Sequence, residues 1–272
     1  MTSSSSQLLY RNTADRKGRH IAIAPPAGAM RRLHYGRIVL DAGAPRAVFE
    51  TSGREVGLVC LSGACTVDVG GERYEIARYD ALYVPRGRLV EVTTDTSVDL
   101  VDFEADVEGD YPVQLVRYAD VEKNPSLKFL AGSDGSRRTL NVLIGANVQA
   151  GRILGGFTCS APGNWTSWPP HEHTAMLEEL YVFFDMPPPG FGIQCVYGDG
   201  DGPPFVTVVR DGDAVCIPAG YHPNVAVPGQ SINFVWLMAA HREGVDRKLG
   251  VVNVEPAFSG KGSGLEAATR TR

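Results

Sequence analysis

Two ten-residue stretches far apart in the chain match without a gap: DALYVPRGRL at 80–89 and DAVCIPAGYH at 213–222. The match pairs Pro85 with Pro218, Gly87 with Gly220 and Leu89 with His222. A second match occurs upstream in the same order, EVGLV (55–59) over EELYV (178–182), and sets Glu55 over Glu178. Such internal likeness means that one kind of unit was used twice, so the fold has to be read as a pair. Each unit is a series of short apolar runs broken by Gly and Pro. The first offers LHYGRIVL, RAVFE, EVGLVCLSG, CTVDV, RYEI, ALYVP, LVEVTT and VDLVDFEA. The second offers TLNVLIG, RILGGFTCSA, ELYVFF, GIQCVYG, FVTVVR, AVCIP, NVAV and INFVWLMA. Gly70-Gly71 between two alternating runs is a hairpin signal, and no stretch carries helical periodicity. The expected class is all-β, as an antiparallel sandwich or barrel used twice.

The expected division is an N-terminal arm at 1–32, read as loose, a first unit at 33–106 and a linker at 107–137. A second unit follows at 138–258, with a polar tail at 259–272. At 272 residues the chain is long enough to bury a large core. A net charge of −5 argues against nucleic acid or an anionic membrane as partner. The polar opening MTSSSSQLLYRN does not read as a secretory signal, and five irregularly spaced cysteines do not read as a disulfide framework. A cytoplasmic protein is expected, assembled as a homo-oligomer of two or more copies.

The second unit carries the chemistry. His171 and His173 lie two apart, so on an extended strand both project to one face. Glu178 follows at the head of an apolar run, and His222 lies just past a Pro-x-Gly turn. Three imidazoles and a carboxylate form a mixed N/O set that suits one divalent transition metal, Zn, Mn, Fe or Ni. In the first unit Val48, Glu50 and Leu89 occupy the places of the three histidines, so a scaffold without metal is expected there.

These stretches resemble the two cupin motifs, His-x-His-x4-Glu and Gly-x5-Pro-x-Gly-x-His, completed here by Gly212, Pro218, Gly220 and His222. The chain therefore looks like a bicupin, two jelly-roll barrels of the double-stranded β-helix type. Its flanks are closer still to one family. GNWTSWPPHEH, PPPGFGIQCVYGDGD and VRDGDAVCIPAGYHPNVAVPG, with REVGLVCLSGACTVDVGG in the first half, resemble the 5-deoxy-glucuronate isomerases of myo-inositol catabolism. That resemblance covers about residues 33 to 257. It implies an aldose–ketose isomerisation in which 5-deoxy-D-glucuronate becomes 5-dehydro-2-deoxy-D-gluconate. The family carries a longer insertion between the His pair and the Glu, where this chain has only Thr174 to Leu177. The shorter loop resembles the 4-deoxy-hexosulose-uronate isomerases of pectin breakdown, which stand as the alternative.

Moving a hydrogen between neighbouring carbons needs stabilisation of an enediolate, which a divalent cation supplies, and a proton acceptor. Glu178, Glu179, Tyr181 and Tyr221 are the candidate catalytic groups. Strand alternation turns Glu179 away from Glu178's face, where pairing with an outer-face Arg is the competing reading. For the sugar acid, Arg152, Gln194, Tyr197 and Trp168 are candidate contacts, with Arg210, Arg242 and Trp165 near by; Arg binds carboxylates bidentately. An Fe(II) dioxygenase and a non-catalytic sugar-binding cupin are the rival classes.

Overall fold

The structure, a computed structural model, describes residues 8–200 and 202–261. The repeat seen in the sequence reappears as a repeat in sheet order. After β1 (Leu9–Tyr10), the first half runs through β2 (Gly18–Ile23), β3 (His34–Asp41), β4 (Arg46–Glu50), β5 (Arg54–Val69), β6 (Glu72–Ala77), β7 (Ala81–Val84), β8 (Leu89–Thr93), β9 (Ser97–Asp106) and β10 (Gln114–Val116). A short helix, α1 (Tyr118–Val121), leads to β11 (Lys128–Ala131), β12 (Arg138–Ile144), β13 (Ile153–Ser160), β14 (Trp165–Thr166), β15 (His171–Glu172) and β16 (Leu177–Phe183). Then come β17 (Gly192–Val196), β18 (Phe205–Val209), β19 (Ala214–Ile217), β20 (Asn224–Ala226), β21 (Asn233–Ala240) and β22 (Asn253–Val254). One sheet reads β10-β7-β5-β9-β3-β2 and the other β1-β19-β16-β21-β13-β12-β11. Strand for strand, β7-β5-β9-β3 answers β19-β16-β21-β13. The fold is all-β, as the alternating runs and Gly/Pro turns implied.

Each half closes on itself. The sixteen-residue β5 passes a bulge between Cys60 and Ser62, pairs first with β7 and β9, and then with β6 and β8. In the second half β14-β20-β17-β18 forms the facing sheet. The long strands are buried on both faces, so they read as unbroken apolar runs. On β16, Leu180 and Val182 face a core shared between the halves, while Tyr181 and Phe183 face the interior of the second barrel. On β5, Val59 and Leu61 face the shared core, while Val56 and Leu58 face the first barrel. Phe103 on β9 sits in the shared core between two glycines. A Cβ at Gly57 would come within 2.3 Å of its ring and one at Gly155 within 2.7 Å, so both sheets must leave that space bare.

The N-terminal arm is built in rather than loose, which corrects the sequence reading for its described part. β1 extends the second half's sheet beside β19, and β2 extends the first half's sheet beside β3. The Thr13 hydroxyl meets Tyr35 Oη at 2.7 Å and donates to the Gly212 carbonyl, and Arg11 pairs with Asp213. The stretch expected as linker contributes β10 to the first half's sheet, beside β7, and β11 to the second's. Each half is thus edged by a strand from the segment that precedes the other half. Of the expected tail, 259–261 belong to a 3-10 turn, Pro256–Lys261, and the remainder lies outside the described residues. All five cysteines are free, with Cys60, Cys65 and Cys216 buried. Among the described residues no helix is long and apolar enough to cross a membrane.

The first barrel's interior holds charges. Asp102 and Glu104 on β9 both receive Arg19, which reaches in from β2 across the Phe49 ring, and Arg54 also pairs with Glu104. Asp102 Oδ1 is buried without a hydrogen-bond partner. Burial, opposed by Arg19 and aided by Glu104, pushes the Asp102 carboxyl up to about 7. Its folded pKa lies above the unfolded value of roughly 3.9. Its protonation therefore favours the fold below about pH 4, and that contribution is lost as pH rises through 7. Urea unfolding from pH 4 to 8 is expected to show this decline in wild type and a flatter profile in Asp102→Asn.

Candidate metal centre

The site is assembled where β16 faces the second barrel's interior. β15 pairs with β22 and carries His171; His173 follows it and opens the turn whose carbonyl accepts from the Met176 and Leu177 amides. His222 arrives on the loop after Gly220. That glycine has φ of +93°, and a Cβ there would lie 2.3 Å from the Tyr197 carbonyl oxygen, so the Pro-x-Gly spacing has a steric reason. The Gly220 amide donates to Thr174 Oγ1 at 3.1 Å, which ties the His222 loop to the loop between His173 and β16. Behind it, buried Gln194 donates to the His222 carbonyl and accepts from Asn224, and Asn224 meets Thr166.

His173 Nε2 and His222 Nε2 each lie 3.1 Å from Glu179 Oε2. His171 stands beside them, its ring centroid 4.9 Å from that of His222. Each imidazole uses Nδ1 toward a backbone carbonyl: His171 to Pro169 at 2.9 Å, His173 to Leu177 at 3.2 Å and His222 to Gly220 at 2.9 Å. Those bonds place the proton on Nδ1 and leave Nε2 as a lone pair. His222 Nε2 is buried without a hydrogen-bond partner even though the carboxylate is close. Lone pairs that converge on a carboxylate repel one another unless a cation sits among them. The group His173, Glu179 and His222 could therefore hold a metal ion. Burial alone would raise Glu179, but its two histidine neighbours, His173 and His222, overcome it and hold the carboxyl at about 2. Burial first, and then the charge of His222, push His171 down to about 3, so it stays neutral.

Glu178, expected as the ligand, is not part of this group. Strand parity puts it on the opposite face, where its carboxylate accepts the backbone amides of Arg31, Arg32 and Leu33. Glu179, whose competing reading was an outer-face Arg partner, takes its place, buried at 1 % exposure. The repeat contained the signal for this. Glu178 aligns with Glu55, which the first half keeps, and Glu179 aligns with Val56. A half that lost its imidazoles would lose the ligand carboxylate with them, so the retained Glu marks a structural position. Val48 and Leu89 lie on the first barrel's outer surface, 46 % and 55 % exposed.

The cavity beside the donors, about 80 Å3, is lined by Tyr181, Ser167 and Arg138 as well as His171, His173 and Glu179, with Phe129, Trp236 and Val251 among its apolar walls. Tyr181 Oη meets Ser167 Oγ at 2.7 Å, and burial followed by Glu179 drives its phenol well above the ordinary range, so it stays protonated. Arg138, 4 % exposed, donates to the Ser136 and Trp168 carbonyls, and burial pushes it down to about 10, which leaves it a cation at neutral pH. The other sequence candidates are elsewhere. The Arg152 side chain donates to the carbonyls of Asp106, Ala240 and His241, and Arg242 pairs with Asp246. Arg210 lies over Phe191. Tyr197 donates to Glu255 and packs against Tyr221 in a separate cleft beyond the His222 loop. Trp168 turns its ring to Trp165 and Phe258. Arg138 and Ser167 escaped the sequence reading. Arg138 is the last residue of the polar GSDGSRR run, and nothing local marks it as pointing into a barrel.

Fold and donor group together define a cupin with one metal-competent centre among the described residues. Residues 8–255 match the KduI/IolB family. A 5-deoxy-glucuronate isomerase from Geobacillus thermodenitrificans is 30% identical over 208 residues, which cover 70% of this chain and 74% of that protein. A 4-deoxy-L-threo-5-hexosulose-uronate ketol-isomerase from Cereibacter sphaeroides is 30% identical over 168 residues, 56% of this chain and 60% of that one. The crystal structure of an iolb-like protein from Salmonella typhimurium LT2 superposes with a TM-score of 0.81 at 25% identity, covering 91% of this chain and 96% of its own. The chain belongs to the KduI/IolB family, and it is an isomerase.

Proposed function

We propose that the chain is a metal-dependent aldose–ketose isomerase that converts 5-deoxy-D-glucuronate to 5-dehydro-2-deoxy-D-gluconate. The observation that carries the reading is the convergence of the His173 and His222 Nε2 atoms on Glu179, with His171 beside them, next to a cavity that also holds a buried cation and a protonated phenol. His171, His173, Glu179 and His222 are the proposed ligands of one divalent transition ion. When bound, such an ion supplies Lewis-acid stabilisation of negative charge on adjacent substrate oxygens. Arg138, with its guanidinium oriented by two backbone carbonyls, is the proposed partner of the uronate carboxylate. Tyr181, with its proton retained, is the proposed hydrogen-bond donor to the substrate oxygen that gains charge. The apolar walls keep water out and strengthen these contacts.

The relative from Cereibacter sphaeroides and the short 174–177 loop favour a second reading, isomerisation of a 4-deoxy-hexosulose uronate. Metal analysis of the purified protein, followed by product analysis with both uronates, separates the two. Turnover of neither, with oxygen uptake after Fe(II) loading, would sink both.

The route of the hydrogen is testable with the same assay. A hydride shift with two ions would need a second donor group, and the described residues hold only one group of the required closeness. The enediol route, in which a proton leaves carbon and exchanges with water, is the one expected. Product formed in D2O should carry deuterium at the hydrogen-accepting carbon; complete retention of substrate hydrogen at every conversion would count against it.

A further inference from the structure

Two buried carboxylates at equivalent places in the repeat perform the same act in opposite directions. Glu178 on β16 accepts the amides of Arg31, Arg32 and Leu33 at 2.5–2.9 Å, where the first half's chain turns into β3. Glu55 on β5 accepts the amides of Gly151, Arg152 and Ile153 at 2.6–2.8 Å, where the second half's chain turns into β13. Three successive amides around one carboxylate form an anion nest, and each nest belongs to the other half. The two differ in what lies next to them. Glu178 shares a peptide unit with Glu179, whose side chain reaches the histidines from the other face, whereas Glu55 is followed by Val56.

We infer that Glu178 is a positioning residue for the metal centre: by gripping the start of β3 in the first half it sets the place of Glu179 among His171, His173 and His222. This rests on the metal reading above. It also gives the first half a part in the chemistry without a ligand of its own. A Gln at 178 would turn an NH2 group toward amide donors, so at least one of the three contacts would be lost and the start of β16 would shift. Partners that orient a ligand change metal affinity by roughly 10–100-fold when removed. Glu55→Gln breaks the equivalent nest, together with the 2.7 Å contact from Tyr83 Oη, and leaves the ligand strand alone, so it sets an upper measure of the general cost of losing one.

The experiment is a Co2+ titration of apoprotein, followed by visible absorption, on wild type, Glu178→Gln and Glu55→Gln, each checked for folding by circular dichroism at the titration temperature. Glu178→Gln should bind Co2+ about 10–100-fold more weakly. Glu55→Gln should bind as wild type does while melting at a similarly lowered temperature. Unchanged affinity in Glu178→Gln, or equal weakening in both variants, would overturn the inference. Wild-type protein that takes up no Co2+ would overturn the metal reading first. Should Glu178→Gln not fold, Glu178→Asp keeps the charge, withdraws it by one methylene and supports the same comparison.

Discussion

Glu179→Ala is expected to lose its tightly bound metal and to reduce kcat by about 10²–10³-fold, the scale on which a group that stabilises developing charge is felt. The carboxylate is the hub of the site: both His173 Nε2 and His222 Nε2 approach the same oxygen, Oε2, at 3.1 Å. Without it three imidazoles remain, with no anion to offset the charge of a divalent ion in a buried setting. The barrel itself should persist, because Glu179 pairs with Ile217 and Met238 through its backbone, which alanine keeps, and its neighbours Leu180 and Tyr181 remain packed. Elemental analysis of the folded variant decides the matter. One tightly held ion per chain with near-normal turnover would remove Glu179 from the ligand set.

Phe103→Ala is expected to be the most damaging single truncation in the shared core, costing about 3–5 kcal/mol. Both sheets are shaped around this ring. Gly57 and Gly155 leave the space it fills, so no side chain of theirs can relax into the gap it would vacate. Because β9 pairs with both β5 and β3, the loss falls at the centre of the first sheet and at its contact with the second. Urea denaturation gives the measurement. A loss below 1 kcal/mol would show that the halves do not depend on each other at this point. The converse change, Gly57→Ala, would drive a methyl into the ring.

Much of the fold was legible because alternation and turns are local. Gly70-Gly71 closes the β5–β6 hairpin, and the Pro-x-Gly steps precede Leu89 and His222 in both halves. What could not be read lies in contacts between distant segments. The choice between Glu178 and Glu179 is a matter of which face of β16 looks into a barrel. Both faces of β16 are buried, so polarity along the strand does not tell them apart. Counting ligands from the His pair therefore chose the wrong parity, although the aligned pair Glu55 and Glu178 already pointed to a role common to both halves. The arm at 8–32 looked loose because its partners, β19 and the Glu178 carboxylate, lie far away along the chain. Tyr221 adjoins His222 in sequence, yet it falls with Tyr197 on the far side of the His222 loop.

The exchanged edge strands have a consequence for how the chain is made. β1 pairs Leu9 against Val215, so this strand has no partner until synthesis has reached β19. At 5–20 residues per second that interval is about 10–40 s. β10, by contrast, finds β7 almost as soon as it is synthesised. The first barrel can therefore fold during translation, with its Glu55 still waiting for the amides of Gly151 to Ile153, while the second half's sheet gains its β1 edge only when β19 has been made. The donor group of His173, Glu179 and His222, built around the strand between β19 and β21, belongs to the half that closes later.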